Sequence, residues 1–373
     1  MNKYTKYMAL LSAAIVATGC STTEEAPESP SAGISDTPVA IAVTTGDEFL
    51  NGDESRSRAS FHTSTLSEIT IMTTSGAGRY FNSRVVRRNG VWTTMDGFSN
   101  TPRTYYWPWS GMDVYAVAGN MGQTDNWLIN NNSSVTFGNS GGHACPVSFA
   151  YTVNRNNPVN DPLYAAKVDC DRYSGTNKNG TVELNFRHLL SRLTFAVVND
   201  NDDNDVDIHI NRIAFDNIMT SGTYQPKPRV TTGVSTSVDA TYGTWTGYGA
   251  NGNCSTYEQL GNHFALHTTD ATAVAVTKPG SATEPYELLL LPQTLNDQTR
   301  LAVEYSITRK WDNGIIRDMS FQSIDVSNYE WKQNTQYIYR LHFDKEITQV
   351  EILPVAFDVN PFIHGGDITP PVN

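Results

Sequence analysis

The sequence predicts an all-β protein, and three observations carry that prediction. Short runs of β-branched and aromatic residues recur along the chain, separated by Gly, Asn and Pro turns. Charged residues make up only 17% of the 373 positions, while Thr, Ser, Asn, Tyr and Gly are plentiful. That is the make-up of an extracellular β protein. Helical periodicity is scarce, and only Ser255 to His263 is assigned a short helix. Strands at this spacing argue for β-sandwiches rather than an α/β fold. The length fits two domains of ordinary size.

The chain opens on Lys3 and Lys6, then the apolar run from Met8 to Val16, then Ala17-Thr18-Gly19-Cys20. The apolar core is too short to span a bilayer, so residues 1–19 read as a signal peptide. Gly19 before Cys20 is what a lipoprotein signal requires, which makes Cys20 the expected lipidation site. Residues 21–37 are rich in Ser, Thr, Pro and Glu and read as a solvated tether. Next, Val39, Ile41 and Val43 alternate with smaller residues, the pattern of a strand with one buried face. A polar stretch follows and ends in Arg56-Ser57-Arg58-Ala59. An arginine there suits a trypsin-like protease, although two arginines in a loop need no such explanation.

Strand signals then continue in order. Ile69 to Met72, a hairpin from Val85 to Trp92 through Asn89-Gly90, Tyr105 to Trp107 and Val114 to Ala118 fill the first half. The second half carries Ile208 to Phe215, Glu287 to Leu291, Leu301 to Ile307 and Tyr337 to Phe343. Near the end Val350 and Ile352 alternate, Leu353-Pro354 is expected to break the register, and Val355, Phe357 and Val359 alternate again. The acidic stretch from Asn199 to Asp207 marks a domain boundary near 190–205. This gives a tether and first strand over 20–58, one domain over 59–195 and a second over 196–373.

A net charge of −12 and a pI near 5.1 exclude a nucleic-acid partner, which needs a basic face. Beyond Cys20 there remain Cys145, Cys170 and Cys254, which allow at most one internal disulfide, with Cys145–Cys170 the expected pair. No metalloprotease, nucleophile-elbow, P-loop or dinucleotide motif occurs, so no catalytic residue, metal or cofactor is assigned. His263 and His267 have ligand spacing only on a helix. An EF-hand loop begun at Asp200 would put Asp205 where its Gly belongs, and fails.

Several separate stretches match one family in order. They are Tyr105-Tyr106-Trp107-Pro108-Trp109 with Met112 to Ala116, Asp161-Pro162-Leu163-Tyr164-Ala165, and Val182-Glu183-Leu184-Asn185-Phe186-Arg187-His188-Leu189-Leu190-Ser191-Arg192-Leu193. Gly222-Thr223-Tyr224, Leu291-Pro292-Gln293 and Trp331-Lys332-Gln333-Asn334-Thr335-Gln336-Tyr337 follow. Over about residues 39–359 the chain resembles the fimbrillins of Bacteroidetes, the Mfa-like fimbrial subunits. The resemblance implies two tandem transthyretin-like β-sandwich domains. It also implies export as an outer-membrane lipoprotein and cleavage by an arginine-specific protease that removes the first strand. Here the strand removed is the one bearing Val39, Ile41 and Val43, and the cut falls after Arg58, before Ala59. The second choice is after Arg56, before Ser57.

A chain that loses a strand keeps an open groove, which a strand of another fimbrial subunit fills. The candidate donor lies over 348–359 and bears Val350, Ile352, Val355, Phe357 and Val359. The same residues also suit the last strand of the subunit's own second domain. A different reading is a lipid-anchored surface protein that binds a host or glycan ligand, or anchors fimbriae, without cleavage. It looks to Trp245 and Tyr248 on a Gly-rich loop as solvent-facing rings for sugars. A sandwich hydrolase would need a carboxylate pair in a cleft, and no motif nominates one. Stalk, tip and anchor roles all remain open.

Overall fold

A computed structural model describes residues 34–43, 66–97, 99–118, 135–140, 142–154, 161–172, 180–184, 186–201, 206–226, 243–249, 251–255, 262–264, 268–282, 285–309, 314–344 and 347–356. Among these residues the protein is all-β, and its only helical element is the single 3-10 turn Asp270–Thr272.

The first core lies under a six-stranded antiparallel sheet. Its order is Arg187–His188, Leu163–Cys170, Met112–Ala118, Glu68–Ser75, Gly78–Arg88 and Val91–Thr94. Gly78–Arg88 and Val91–Thr94 form the expected hairpin, with Asn89 at φ 51° and Gly90 at φ 81°. Two successive left-handed residues make the turn whose twist matches the flanking strands. All seven residues of Met112–Ala118 are buried, because the sheet is covered on both faces. Val114 and Ala116 face the first core, while Tyr115 and Val117 join the second.

The second core lies between two five-stranded sheets. One is built on Ser191–Asn199, all nine residues of which are buried. This strand runs parallel to Thr335–Phe343 on one side and antiparallel to Val274–Ala275 and Glu287–Leu290 on the other. The facing sheet is built on Val206–Met219, flanked by Arg300–Arg309 on one side and by Asn251–Ser255 and Asn262–Phe264 on the other. Burial alternates from Val206 to Ile210, then slips at a bulge between Ile210 and Arg212, since an extra residue turns later side chains to the other face. A four-stranded sheet joins the two halves of the chain: His143–Thr152 pairs with Ser221–Gln225 across a long loop of sequence.

One buried ion pair and one buried histidine–carboxylate contact sit inside this framework. Arg192 Nε donates to Glu287 Oε2 at 2.7 Å, and His188 Nδ1 lies 2.7 Å from Asp161 Oδ2, with all four side chains buried. Both His188 and Arg192 belong to the long motif matched in the sequence, and both hold strands together from within.

Four expectations are corrected. No disulfide joins Cys145 and Cys170: both are buried thiols, the first in the second core and the second in the first core. The stretch Ser255 to His263 begins and ends as strand rather than helix, with Ser255 opposite Ala214 and His263 opposite His209. Pro354 does not break the last strand, which runs unbroken over Ile347–Ala356 with Pro354 opposite Tyr337. Among the described residues that strand is the edge of its sheet, where proline is tolerated. The tether is shorter than expected, because Ile34–Pro38 is already a strand, paired with Tyr106–Pro108.

Candidate functional site

The layer that closes the first core opposite the six-stranded sheet is made by the segment 34–43. Its first part, Ile34–Pro38, lies antiparallel to Tyr106–Pro108, and its second, Ala40–Val43, lies parallel to Thr181–Leu184. The switch occurs between two adjacent residues. Val39 N–H donates to the Tyr105 carbonyl at 2.8 Å on one side, and Ala40 N–H to the Gly180 carbonyl at 2.8 Å on the other. The segment is therefore the central strand of its layer. Among the described residues, Tyr106–Pro108 and Thr181–Leu184 have no other ladder partner.

Side chains along this segment follow the strand period of two. Ser35, Val39, Ile41 and Val43 are buried, and Asp36, Pro38 and Ala40 are exposed. The three apolar anchors join Val182, Leu184 and Trp107 in the first core. Burial of each is worth about 1.5–3 kcal/mol.

Gly180 sets how closely the segment can approach. It has φ +74°, and a Cβ there would lie 2.5 Å from the Pro38 carbonyl oxygen and 2.9 Å from Trp107 Nε1. The same residue's carbonyl accepts a second hydrogen bond, from Trp107 Nε1–H at 2.9 Å. Only glycine takes that backbone conformation easily and leaves that space. Gly180 and Trp107 were not singled out from the sequence as site residues; a lone Gly before an alternating run gives little signal.

The remaining candidates fall as follows. Cys20, Arg56, Ser57, Arg58 and Ala59 lie outside the described residues, as do Phe357 and Val359. Val350 and Ile352 are half-buried and pack against the second core, and Val355 lies in the same edge strand opposite Gln336. Trp245, expected as a solvent-facing ring, is only 9% exposed, donates its Nε1–H to the Leu189 carbonyl at 2.8 Å, and packs against Tyr224 and Tyr151. It is a core residue, because its indole N–H finds an acceptor inside. Tyr248 is 38% exposed and donates its hydroxyl to the Pro292 carbonyl, and partial burial pushes its pKa up. His188 is 1% exposed and so is closed to any substrate. Among the described residues no cluster of His, Cys, Asp and Glu could hold a metal ion.

Residues 57–361 match a family model described as fimbrillin-like. The chain belongs to the fimbrillin-like family. No curated protein matches the sequence. Among solved structures, a fimbrial protein from Bacteroides vulgatus aligns with 87% of this chain and 100% of its own, at 14% identity and a TM-score of 0.55. That likeness is one of fold. The tip fimbrial protein of Porphyromonas gingivalis, with C-terminal truncation, aligns with 86% of this chain and 99% of its own, at 11% identity and a TM-score of 0.34. That score is too low to support an argument. The fimbrillin-like match begins at residue 57, on the far side of the segment 34–43.

Proposed function

We propose that this fimbrillin-like protein is a structural subunit, stalk or tip, of a cell-surface fimbria that supports adhesion to a host or glycan surface. It reaches the outer membrane as a lipoprotein anchored through Cys20. An arginine-specific protease then cuts after Arg58, or after Arg56, and the segment 34–43 leaves with the anchor. The opened groove takes a strand from the next subunit. The two transthyretin-like domains form the body that is joined end to end.

The observation that carries this reading is the place of residues 34–43. They are the middle strand of a layer, with one neighbouring strand on each side among the described residues. Their loss uncovers the pockets of Val39, Ile41 and Val43 and two rows of unpaired backbone groups. Such an edge recruits another strand. No catalytic role is assigned, and the His188 and Asp161 side chains are each only 1% exposed.

The experiment is to expose the lipidated chain to an arginine-specific protease and follow its assembly. Cleaved chains are expected to release 34–43 and to form a ladder of oligomers stable in cold detergent. The variant carrying both Arg56→Ala and Arg58→Ala should stay monomeric. Cleaved chains that keep 34–43 bound and remain monomers would refute the exchange. In that event the filled groove favours the second reading, a lipid-anchored surface protein that binds glycans or anchors fimbriae without cleavage.

A further inference from the structure

The aromatic run at the wall of the first core is split by the fold. Tyr105, Trp107 and Pro108 are buried, whereas Trp109 is 61% exposed. Among the described residues it is the one tryptophan that faces solvent: Trp92 is half-buried, and Trp107, Trp245 and Trp331 are buried. The chain turns just there, with Gly111 N–H donating to the Pro108 carbonyl at 3.4 Å and Gly111 at φ 75°. A Cβ at Gly111 would lie 2.8 Å from the Cys170 carbonyl oxygen, so the turn is seated against the end of Leu163–Cys170. Ser110 is fixed as well. Its hydroxyl lies 2.7 Å from that of Ser75, which also donates to the Gly111 carbonyl at 3.1 Å. In the six-stranded sheet Met112 pairs with Cys170. Continuing that antiparallel register brings Arg172 level with Ser110, and its guanidinium carbon sits 4.0 Å from the centre of the Trp109 ring. Arg172 is only 7% exposed, so it backs the ring from the protein side.

We infer that Trp109 is a stacking platform for a neutral saccharide built of β-linked, gluco-configured pyranoses. This rests on the adhesion reading above and names its site and ligand class. A pyranose is amphipathic: its axial C–H groups make a flat apolar face, and its hydroxyls project round the rim. In the gluco configuration with a β linkage every ring substituent is equatorial, so both faces carry only C–H. The open indole face matches that surface, and the hydroxyls of Ser75 and Ser110 lie beside it for the rim. Because the turn and the guanidinium already hold the ring, little freedom is lost on binding. A protein partner fits this spot poorly, since a stable interface takes about 800 Å² from each side around a packed apolar centre. Here the ring stands alone among serine, glycine and arginine. Nucleobases also stack on tryptophan, but a chain of net charge −12 repels their phosphates. The same charge disfavours sulfated and uronate chains, which leaves neutral sugars.

The test uses the uncleaved full-length chain, so it does not depend on cleavage or strand exchange. Titration calorimetry with cellotetraose and chitotetraose supplies the neutral probes, and a heparin tetrasaccharide is the anionic counter-probe. Wild type should bind at least one neutral probe and not the heparin fragment. Trp109→Ala should weaken that binding by at least about tenfold, the scale of a lost stacking contact. Its urea midpoint should not move, because Trp109 belongs to neither core. Trp109→Tyr keeps a stacking ring and should stay within about threefold of wild type. If wild type and Trp109→Ala bind a neutral probe equally, the adhesion reading stands and this site is overturned. If neither neutral probe binds wild type, or only the heparin fragment does, the site and its ligand class are both overturned. The fimbrial-subunit reading is then still judged by its own oligomer ladder.

Discussion

Replacing Ile41 by Ala tests whether the first strand holds the precursor and not the assembled protein. Ile41 is 6% exposed and sits between Val39 and Val43 in the first core. Truncating a buried Ile to Ala costs about 2–5 kcal/mol. A central strand, supported by neighbours on both sides, should fall near the middle of that range. The assay is urea unfolding followed by tryptophan fluorescence, for which Trp107 is a reporter inside the same core. Uncleaved Ile41→Ala should lose about 3 kcal/mol. Once cleaved and assembled, it should match wild type, because residue 41 is no longer present. Ile71→Ala, on the facing sheet of the same core, should lose a similar amount in both states. An equal loss for Ile41→Ala before and after cleavage would refute the reasoning, and so would no loss before cleavage.

Three further outcomes are expected. Gly180→Val should weaken docking of the first strand in the uncleaved chain by a few kcal/mol, about 2–4, since φ +74° and the 2.5 Å approach to Pro38 both exclude a side chain. Faster proteolysis within 34–58 would report it. Trp245→Phe should cost about 1–3 kcal/mol by leaving the Leu189 carbonyl without its donor, and should not change binding to polysaccharides; glycan binding that vanishes at unchanged stability would contradict the buried role. Burial pushes the Cys170 thiol up to about 12 from 9.0, with the nearby Asp113 carboxylate adding to the effect. Native chain at pH 8 should therefore leave Cys170 unreactive to a thiol reagent, while unfolded chain reacts. The sign for stability follows: the unfolded thiol releases its proton first, so stability falls as pH rises from about 9 toward 12, which urea midpoints across that range would show.

Much of the fold was legible because alternation is a local signal. Val39, Ile41 and Val43 announced one buried face, and Asn89-Gly90 announced a hairpin. What failed depended on the third dimension. Trp245 sits in a Gly-rich stretch that reads as an exposed loop, yet the Leu189 carbonyl draws its ring inward. Cys145 and Cys170 lie close in sequence but in different cores, a separation invisible without the sheet order. Pro354 read as an interruption because the sequence does not say which strand lies at an edge. Ser35 and Thr37 hid the start of the first strand, since polar residues on its inward face broke the apolar pattern. Of the groove, the anchors could be read and the walls could not: Gly180 and Trp107 meet only after a long excursion of chain.

The most direct test of the account is the N-terminus of the protein as it sits on its native cell, sequenced from surface material. The account predicts a mature chain beginning at Ala59, or at Ser57, with Cys20 and the segment 34–43 gone. A chain beginning at acylated Cys20 would contradict it, because the groove would then remain filled by its own strand.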